Sequence, residues 1–282
     1  MNKKYFIVGN TAWFCISIYY SRKEWGKLIQ EIRSFCKIKE SLFSHYIIYL
    51  SEYYGENIQL VLSLPANNND LDSILKETDK HFRSYILNNP SCETKPCHYG
   101  KTIWCNYENN SIEWNIFEFS HMTKGRYLNF SQATTSLMID LFDDDYSIDN
   151  NISIAIFLCA KMLKIYSILS DNQSIDNILI KLADNTSSKL LVTDDNLKEE
   201  LGFRGVGFEE MLEIIEQYWN YEVEDDPVYS QWEEEIKKIT ALYPDCFSTL
   251  YYFIKIHLYI NDNMALLIFY SLKNWSKTKT TI

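Results

Sequence analysis

Basic residues are in the minority in this sequence. Its 282 residues include 27 Lys and Arg against 38 Asp and Glu, which gives a formal net charge of −11. Binding to nucleic acid requires a surplus of cations that neutralise phosphates. The charge balance therefore argues against a general nucleic-acid binder, and any anionic partner must meet a local basic patch.

The sequence also lacks a Cys-x-x-Cys pair. Its seven cysteines are odd in number and scattered, at Cys15, Cys36, Cys92, Cys97, Cys105, Cys159 and Cys246. This usage fits a reducing cytosol better than a disulfide framework, so we expect a cytoplasmic protein. The group Cys92, Cys97, His98 and Cys105 matches no zinc spacing. We interpret it as part of a polar loop and expect no metal site.

Long apolar runs and nucleotide motifs are missing as well. No uninterrupted apolar stretch reaches the roughly 18 residues that a membrane span requires. The N-terminal segment is expected to form a first strand rather than a signal peptide, because no small-residue cleavage site follows it. Neither a strand-borne Gly-x-Gly-x-x-Gly nor a Gly-Lys-Ser/Thr occurs, so nucleotide chemistry has no support. We expect a soluble protein with no membrane partner.

The first half of the chain has the pattern of a sheet packed against helices. Aromatic and β-branched residues predict a strand over 13–20, and helical periodicity predicts a helix over 22–39. Further strands are predicted over 45–50 and 58–64, a helix over 70–87 with Asp70 as its N-cap, and a hairpin of 102–107 with 112–119 around Asn109-Asn110. This order is compatible with a ferredoxin-like arrangement.

The second half is predicted to be mainly helical. Helices are indicated over 131–142, 152–169, 208–219, 229–242 and 247–275. The polar segment 172–207 contains Gly202, Gly205 and Gly207, and we interpret it as a mobile connection. The sequence thus predicts an α+β protein with a sheet half over 1–130 and a helical half over 131–282.

Two segments of the first half match landmarks of a known family in order. The first is the strand led by Trp13 and containing Tyr19, followed by Gly55-Glu-Asn-Ile-Gln-Leu-Val-Leu. The second is Trp114-Asn-Ile-Phe-Glu-Phe-Ser-His-Met-Thr-Lys-Gly-Arg-Tyr, followed by a predicted helix that contains Ser136. Both resemble the C-terminal elimination domain of lanthipeptide dehydratases and its thiopeptide relatives. Leu128 and Asn129 stand where that family has two glycines.

A third segment lies near the C-terminus. His257-Leu-Tyr-Ile-Asn-Asp, within the helix predicted over 247–275, resembles the family's His-Met-His-Leu-Asn-Arg. His257 and Asn261 match in position, while Tyr259 replaces a histidine and Asp262 an arginine. Together the three segments cover nearly the whole chain, so we expect it to be a single elimination-domain-like unit.

The departures from the family pattern concern its arginines. Gln59 and Val61 stand where the family's strand carries arginines, and Asp262 stands where another is usual. Eliminating glutamate from a glutamyl ester needs cations that hold the glutamate and stabilise the developing charge. The missing arginines therefore favour the branch of the family that acts on an already dehydrated, uncharged peptide, which is the thiopeptide pyridine synthase branch.

The resemblance implies an activity, partners and alternatives. It implies a macrocyclase that needs no cofactor and joins two dehydroalanines by a formal aza-[4+2] cyclisation, with loss of water and of the leader peptide. The implied partners are a modified precursor peptide, with an acidic leader and a thiazole-containing core, and other enzymes of the pathway.

One alternative function is that of a glutamate-eliminating lyase whose cations come from Arg126, Arg83 or Arg204. Another is a non-catalytic scaffold that binds the leader.

The same resemblance suggests candidate residues for the active site. Acid–base groups are needed for proton transfer, and the candidates are Tyr127, His257, Glu118, His121 and Tyr259. Candidates for substrate contact are Arg126, Ser136, Asn261, Trp13 and Tyr19, and candidates for leader binding are Arg22, Lys23, Lys27 and Arg33. A buried core histidine at His257 and an ordinary solvated face on the first helix are the alternatives, and both are the commoner meaning of such patterns.

Overall fold

The computed structural model describes residues 5–68, 70–92, 107–114, 125–142, 148–169, 178–179, 207–223 and 226–280. The chain divides into two compact units, Met1–Ser147 and Ile148–Ile282. The first unit contains an antiparallel sheet with helices, and the second is helical. This confirms the predicted α+β class.

The elements of the first unit agree with the predicted ones to within a few residues. They are β1 (Phe6–Val8), β2 (Thr11–Tyr19), α1 (Trp25–Ile38), β3 (His45–Ser51), β4 (Asn57–Pro65), α2 (Leu71–Asn88), β5 (Ser111–Trp114) and α3 (Leu128–Leu141). Short 3-10 turns, Arg22–Glu24 and Gly125–Tyr127, precede α1 and α3. Asp70 occupies the N-cap position of α2, but its side chain makes no capping hydrogen bond.

The sheet has the strand order β5-β2-β4-β3, and every pairing is antiparallel. With α1 after β2 and α2 after β4, this is the ferredoxin-like order. The short β1 pairs with the beginning of β2, beside β5. Residues 112–114 of the second predicted hairpin strand belong to β5, whereas the rest of that strand, 115–119, and most of the first strand, 102–106, lie outside the described residues.

One face of the sheet is apolar and is covered by α1 and α2. The Phe14 ring on this face contacts Phe43, with ring centroids 6.4 Å apart, and Trp114, 6.0 Å apart. The Trp114 indole donates a hydrogen bond of 2.7 Å to Asp79 on α2. Removing these side chains from water, at about 25 cal/mol per Å² of apolar surface, supplies the main driving force for this layer.

Helix α3 covers the open edge of the sheet along β3. Thr135 Oγ1 accepts a hydrogen bond of 3.1 Å from the Ile48 N–H, and Gln132 Oε1 accepts one of 2.7 Å from the Tyr46 N–H. Unpaired N–H groups of an edge strand are otherwise open to pairing with another chain. The contacts fix α3 beside β3 and so fix the position of the turn that precedes α3.

The second unit consists of helices that the sequence largely anticipated. They are α4 (Ile148–Leu169), α5 (Phe208–Asn220), α6 (Pro227–Leu242), α7 (Phe247–His257) and α8 (Asp262–Thr280). The prediction of one continuous helix over 247–275 was wrong. Tyr259 adopts a left-handed conformation with φ 50°, and the Ile260 N–H bonds to the Lys255 carbonyl at 2.8 Å, which ends α7. His257 and Asn261 therefore flank a corner between two helices.

Helix α4 is unusually apolar for its length. Its segment Asn150–Leu169, with a mean hydropathy of 1.9, is long and apolar enough to cross a membrane, but most of it is buried within the protein. The core helix of a soluble protein has the same character. Lys161 and Lys164 lie within it, and both donate hydrogen bonds to backbone carbonyls near the end of α5. Most of the predicted mobile segment, 172–207, lies outside the described residues.

Candidate active site

The face of the sheet opposite α1 and α2 carries polar and aromatic side chains, and we call it the polar face. Strand register places its residues in four cross-strand rows: Ser51, Asn57, Tyr19 and Ser111; Tyr49, Gln59, Ser17 and Glu113; Ile47, Val61 and Cys15; and His45, Ser63 and Trp13. Most of these side chains are buried. None of these strand positions carries Lys or Arg, so this described part of the sheet offers no permanent positive charge.

At one end of the polar face lies His45, which the sequence indicated only as the start of a strand. Its ring stacks on Trp13, with centroids 6.2 Å apart and planes at 17°, and its Nδ1 lies 3.2 Å from Ser63 Oγ. Burial lowers the pKa of His45 below its ordinary 6.5, and a hydrogen bond to Asn129 opposes that effect. A neutral imidazole at pH 7 is able to accept a proton.

The contact between His45 and Asn129 joins the polar face to the beginning of α3. Tyr127, two residues before Asn129, is buried and occupies the N-cap position of α3. Arg126 precedes it in the 3-10 turn, and only its backbone belongs to the described structure. Trp13 and the turn that holds Tyr127 are thus brought to the same end of the sheet, with His45 between them.

Ser136, a candidate substrate contact, lies on α3 beside β3. It lies further along α3 and hydrogen-bonds to Tyr46. Tyr46 pairs with Leu62 in register, so its side chain belongs to the face that α1 and α2 cover. In the structure, Ser136 therefore contributes to the packing of α3 against β3.

Tyr19 lies at the other end of the polar face, within a group of tyrosines. Its ring contacts Tyr107, with centroids 4.9 Å apart, and Tyr107 contacts Tyr54 edge to face at 6.0 Å. Burial, together with the nearby Tyr107 and Glu113, raises the pKa of Tyr19 far above its ordinary value. Its hydroxyl is therefore a neutral hydrogen-bonding group over the physiological pH range.

Gln59 and Val61, the positions of the absent arginines, lie in the middle of the polar face, and both are buried. Arg83, a possible substitute, is an α2 residue that pairs with Asp79 at 2.8 Å on the helix-covered side of the sheet. It supplies no charge to the polar face. Arg204 and the Arg126 side chain lie outside the described structure.

Three of the four candidate leader-binding residues have acidic partners within the chain. Arg22 pairs with Glu52, Lys27 with Glu24 at 2.7 Å, and Arg33 with Asp140 at 2.6 Å. Lys23 is exposed. Partly exposed pairs of this kind contribute about 0–1 kcal/mol to stability, so an acidic leader is able to compete for these cations.

The remaining candidates belong to the second unit or lie outside the description. His257 is fully buried at the end of α7, Tyr259 is half-buried, and Asn261 is exposed. The Asn261 carboxamide oxygen accepts a hydrogen bond of 3.0 Å from the Met264 N–H and so caps α8. Glu118 and His121 lie outside the described residues. Within the part that is described, no group of three or more His, Cys, Asp or Glu is placed to hold a metal ion.

Comparison with known proteins finds a likeness at the level of fold. The structure resembles that of the pyridine synthase TbtD from thiomuracin biosynthesis, with a TM-score of 0.67 and 12% sequence identity, over 94% of this chain and 98% of that one. No protein-family model and no curated protein matches the sequence. The fold is therefore similar to that of a thiopeptide pyridine synthase, as the three sequence segments predicted.

Proposed function

We propose that this protein is a thiopeptide macrocyclase that forms a pyridine from two dehydroalanines of one modified peptide. The observation that carries the proposal is the absence of Lys and Arg from the described strand positions of the polar face, in a fold similar to that of a pyridine synthase along nearly the whole chain. Buried positions that would hold arginines in a glutamate-eliminating enzyme are Gln59 and Val61 instead. A site of this kind suits an uncharged peptide.

The proposed reaction is balanced without an external oxidant or reductant. One dehydroalanine and the amide that precedes it react in the iminol form as a 2-azadiene. Two C–C bonds form to the alkene of the second dehydroalanine. Water then leaves from the former amide carbon, and the leader peptide leaves as a carboxamide, which gives the aromatic pyridine. The enzyme must hold two distant parts of the peptide together and move protons, and positioning alone is able to supply roughly 7–11 kcal/mol in ideal cases.

His45 and Tyr127 are the proposed proton-transfer groups in the first unit. The neutral His45 accepts the amide proton as the iminol forms, and the Tyr127 hydroxyl donates to a leaving group. Positioned acid–base groups contribute about 10²–10⁴-fold to a rate. Trp13, which stacks on His45, offers an aromatic surface to the flat thiazoles of the core. His257 and Tyr259 of the second unit, with Glu118 and His121, remain proposed acid–base residues, and Arg126, Ser136 and Asn261 proposed substrate contacts.

The partners follow from this activity. The substrate is a precursor peptide with an acidic leader, thiazoles in its core and two dehydroalanines, made by other enzymes of the same pathway. We propose that Arg22, Lys23, Lys27 and Arg33 bind the leader by exchanging their internal acidic partners for its carboxylates. No cofactor is required by the proposed chemistry.

The proposal is tested by incubating purified protein with a synthetic peptide that carries the leader, the thiazoles and two dehydroalanines. Mass spectrometry should detect a macrocycle and a free leader that ends in a carboxamide. A matched peptide with alanine in place of one dehydroalanine should remain unchanged, because the cyclisation needs both alkenes. Unchanged mass of the first peptide under conditions where the protein is folded would contradict the proposal.

A further inference from the structure

Three neighbouring side-chain oxygens on the polar face have no hydrogen-bond partner in the part of the chain that the structure describes. They are Tyr19 Oη, Asn57 Oδ1 and Ser111 Oγ. Tyr19 is the register partner of both Asn57 on β4 and Ser111 on β5, so the three residues form one row across three strands. Tyr19 is 1% exposed and Asn57 is fully buried. Buried polar atoms are nearly always satisfied, so three in one row indicate a binding partner that the protein itself does not supply.

The surrounding hydrogen bonds fix what each oxygen is able to do. The Asn57 amide nitrogen donates to the carbonyls of Tyr53 and Gly55 at 3.0 and 2.8 Å, which orients the carboxamide and leaves Oδ1 as an acceptor. The Tyr19 hydroxyl is neutral and able to donate. The Ser111 hydroxyl is able to do either. The row therefore offers at least one acceptor and one donor, all uncharged.

A peptide amide has the matching chemistry, because its N–H donates and its carbonyl accepts. A carboxylate does not fit, since Glu113 in the adjacent row acts electrostatically on Tyr19 and would repel it. An ammonium group needs several acceptors, and the row has only one atom that is an acceptor alone. The neutral amide is the class of ligand that this row satisfies.

Partly exposed aromatic rings pack beside the row. Tyr107, 40% exposed, packs on the Tyr19 ring, and Tyr54 contacts Tyr107. A flat heterocycle next to the bound amide is able to stack on these rings while the amide reaches the row. In a thiazole-containing peptide, each ring is followed by such an amide.

We propose that Tyr19, Asn57 and Ser111 form a subsite that binds a backbone amide of the peptide substrate next to one of its azole rings. This inference rests on the proposed function and adds to it a subsite, remote from His45, that positions the peptide. Tyr19 and its neighbours are positioning residues in this account. Their loss should affect substrate binding rather than proton transfer.

The test compares two adjacent buried tyrosines. Tyr19→Phe removes a hydroxyl that has no hydrogen-bond partner among the described residues, so the melting temperature should stay the same or rise. The KM for the bis-dehydroalanine peptide should increase about tenfold with little change in kcat, as expected for the loss of one hydrogen bond. Tyr20→Phe is the matched control. Its hydroxyl donates to the Asn89 carbonyl, so the melting temperature should fall while KM stays the same. Ser111→Ala should raise KM in the same way as Tyr19→Phe.

A lower melting temperature of Tyr19→Phe with an unchanged KM would overturn the inference, because the row would then hold a structural water. If the parent protein does not convert the peptide, the proposed macrocyclisation fails separately. The dissociation constant of the same peptide, measured by fluorescence anisotropy, then replaces KM. About tenfold weaker binding to Tyr19→Phe supports the subsite, whereas equal binding, or no binding to the parent protein, refutes it.

Discussion

His45 links several features of the polar face at the scale of single residues. It stacks on Trp13, contacts Ser63 and hydrogen-bonds to Asn129 at the beginning of α3. Each partner comes from a different element, so no local sequence pattern distinguished His45 from other polar residues at strand ends. A histidine held neutral by burial in such a position is a candidate for proton transfer.

The pH dependence of turnover tests this role. Because the pKa of His45 is lowered from 6.5, the neutral form needed to accept a proton is lost only as the pH falls through a value below 6.5. We expect an acidic limb of kcat/KM below pH 6.5 in the parent protein, because kcat/KM reports the ionisation of the free enzyme. His45→Gln should lower kcat by about 10²-fold and abolish that limb. An unchanged limb in His45→Gln would assign the proton transfer to another group.

Lys161 on α4 is a buried lysine, with 2% of its surface exposed. Its ionisation should affect the free energy of unfolding. It donates to the Tyr221 carbonyl and lies 5.8 Å from the centre of the Phe157 ring. Burial and, to a lesser extent, the nearby Lys164 lower the pKa of Lys161 from 10.5 to about 8. Lys161 therefore loses its proton at a lower pH in the folded protein than in the unfolded chain.

The lowered pKa of Lys161 makes the free energy of unfolding depend on pH in a definite direction. Between pH 8 and 10.5 the unfolded chain binds more protons at this site, so the free energy of unfolding should rise with pH because of Lys161. Relative to Lys161→Met, the parent should gain on the order of 1 kcal/mol between pH 7 and pH 9.5. Urea unfolding of both proteins at the two pH values measures this, since other groups cancel in the difference. A difference independent of pH would show that Lys161 titrates normally.

At the scale of elements, the corner between α7 and α8 shows where sequence patterns are insufficient. Apolar residues continue at helical spacing through this region, and neither Gly nor Pro marks a break. The break depends on Tyr259 in a left-handed conformation, which a tyrosine rarely adopts. Asn261 then begins the next helix by accepting a hydrogen bond from the Met264 N–H.

Two asparagines at this corner provide a matched pair of variants. Asn261→Ala removes the cap of α8 and should lower the free energy of unfolding by about 1 kcal/mol. Asn263→Ala, an exposed position in the first turn of the same helix, should change it by less than about 0.5 kcal/mol. Chemical denaturation measures both values. Equal effects would mean that the Asn261 side chain does not cap α8.

The strands and helices of the first unit were predictable because local composition determines them. The aromatic and β-branched run of β2 and the apolar stripe of α1 are both evident in the sequence. The arrangement of the candidate site was harder to predict from the sequence. Trp13, His45 and Ser63 are neighbours only because of strand register, and Asn129 reaches His45 only because α3 lies along β3. Distant pairings of this kind leave no signal in one sequence.

At the scale of the whole molecule, the fold is similar to that of TbtD although the two sequences differ at most positions. Identity to TbtD is 12%, although the TM-score is 0.67. A fold tolerates such change because it requires the pattern and volume of apolar residues rather than their identity. In the proposed function the polar face has a further requirement, since its charge must match that of the substrate. Its lack of arginine and lysine is therefore the basis of the functional assignment.

The most direct test supplies both classes of substrate in one reaction. Purified protein is incubated with equal amounts of the bis-dehydroalanine thiazole peptide and of a peptide that carries a glutamyl ester on serine, and intact masses are followed over time. We predict that only the first peptide is consumed, with release of the leader carboxamide and a pyridine-containing macrocycle. Loss of glutamate from the second peptide, with the first unchanged, would contradict the account and identify a glutamate-eliminating lyase.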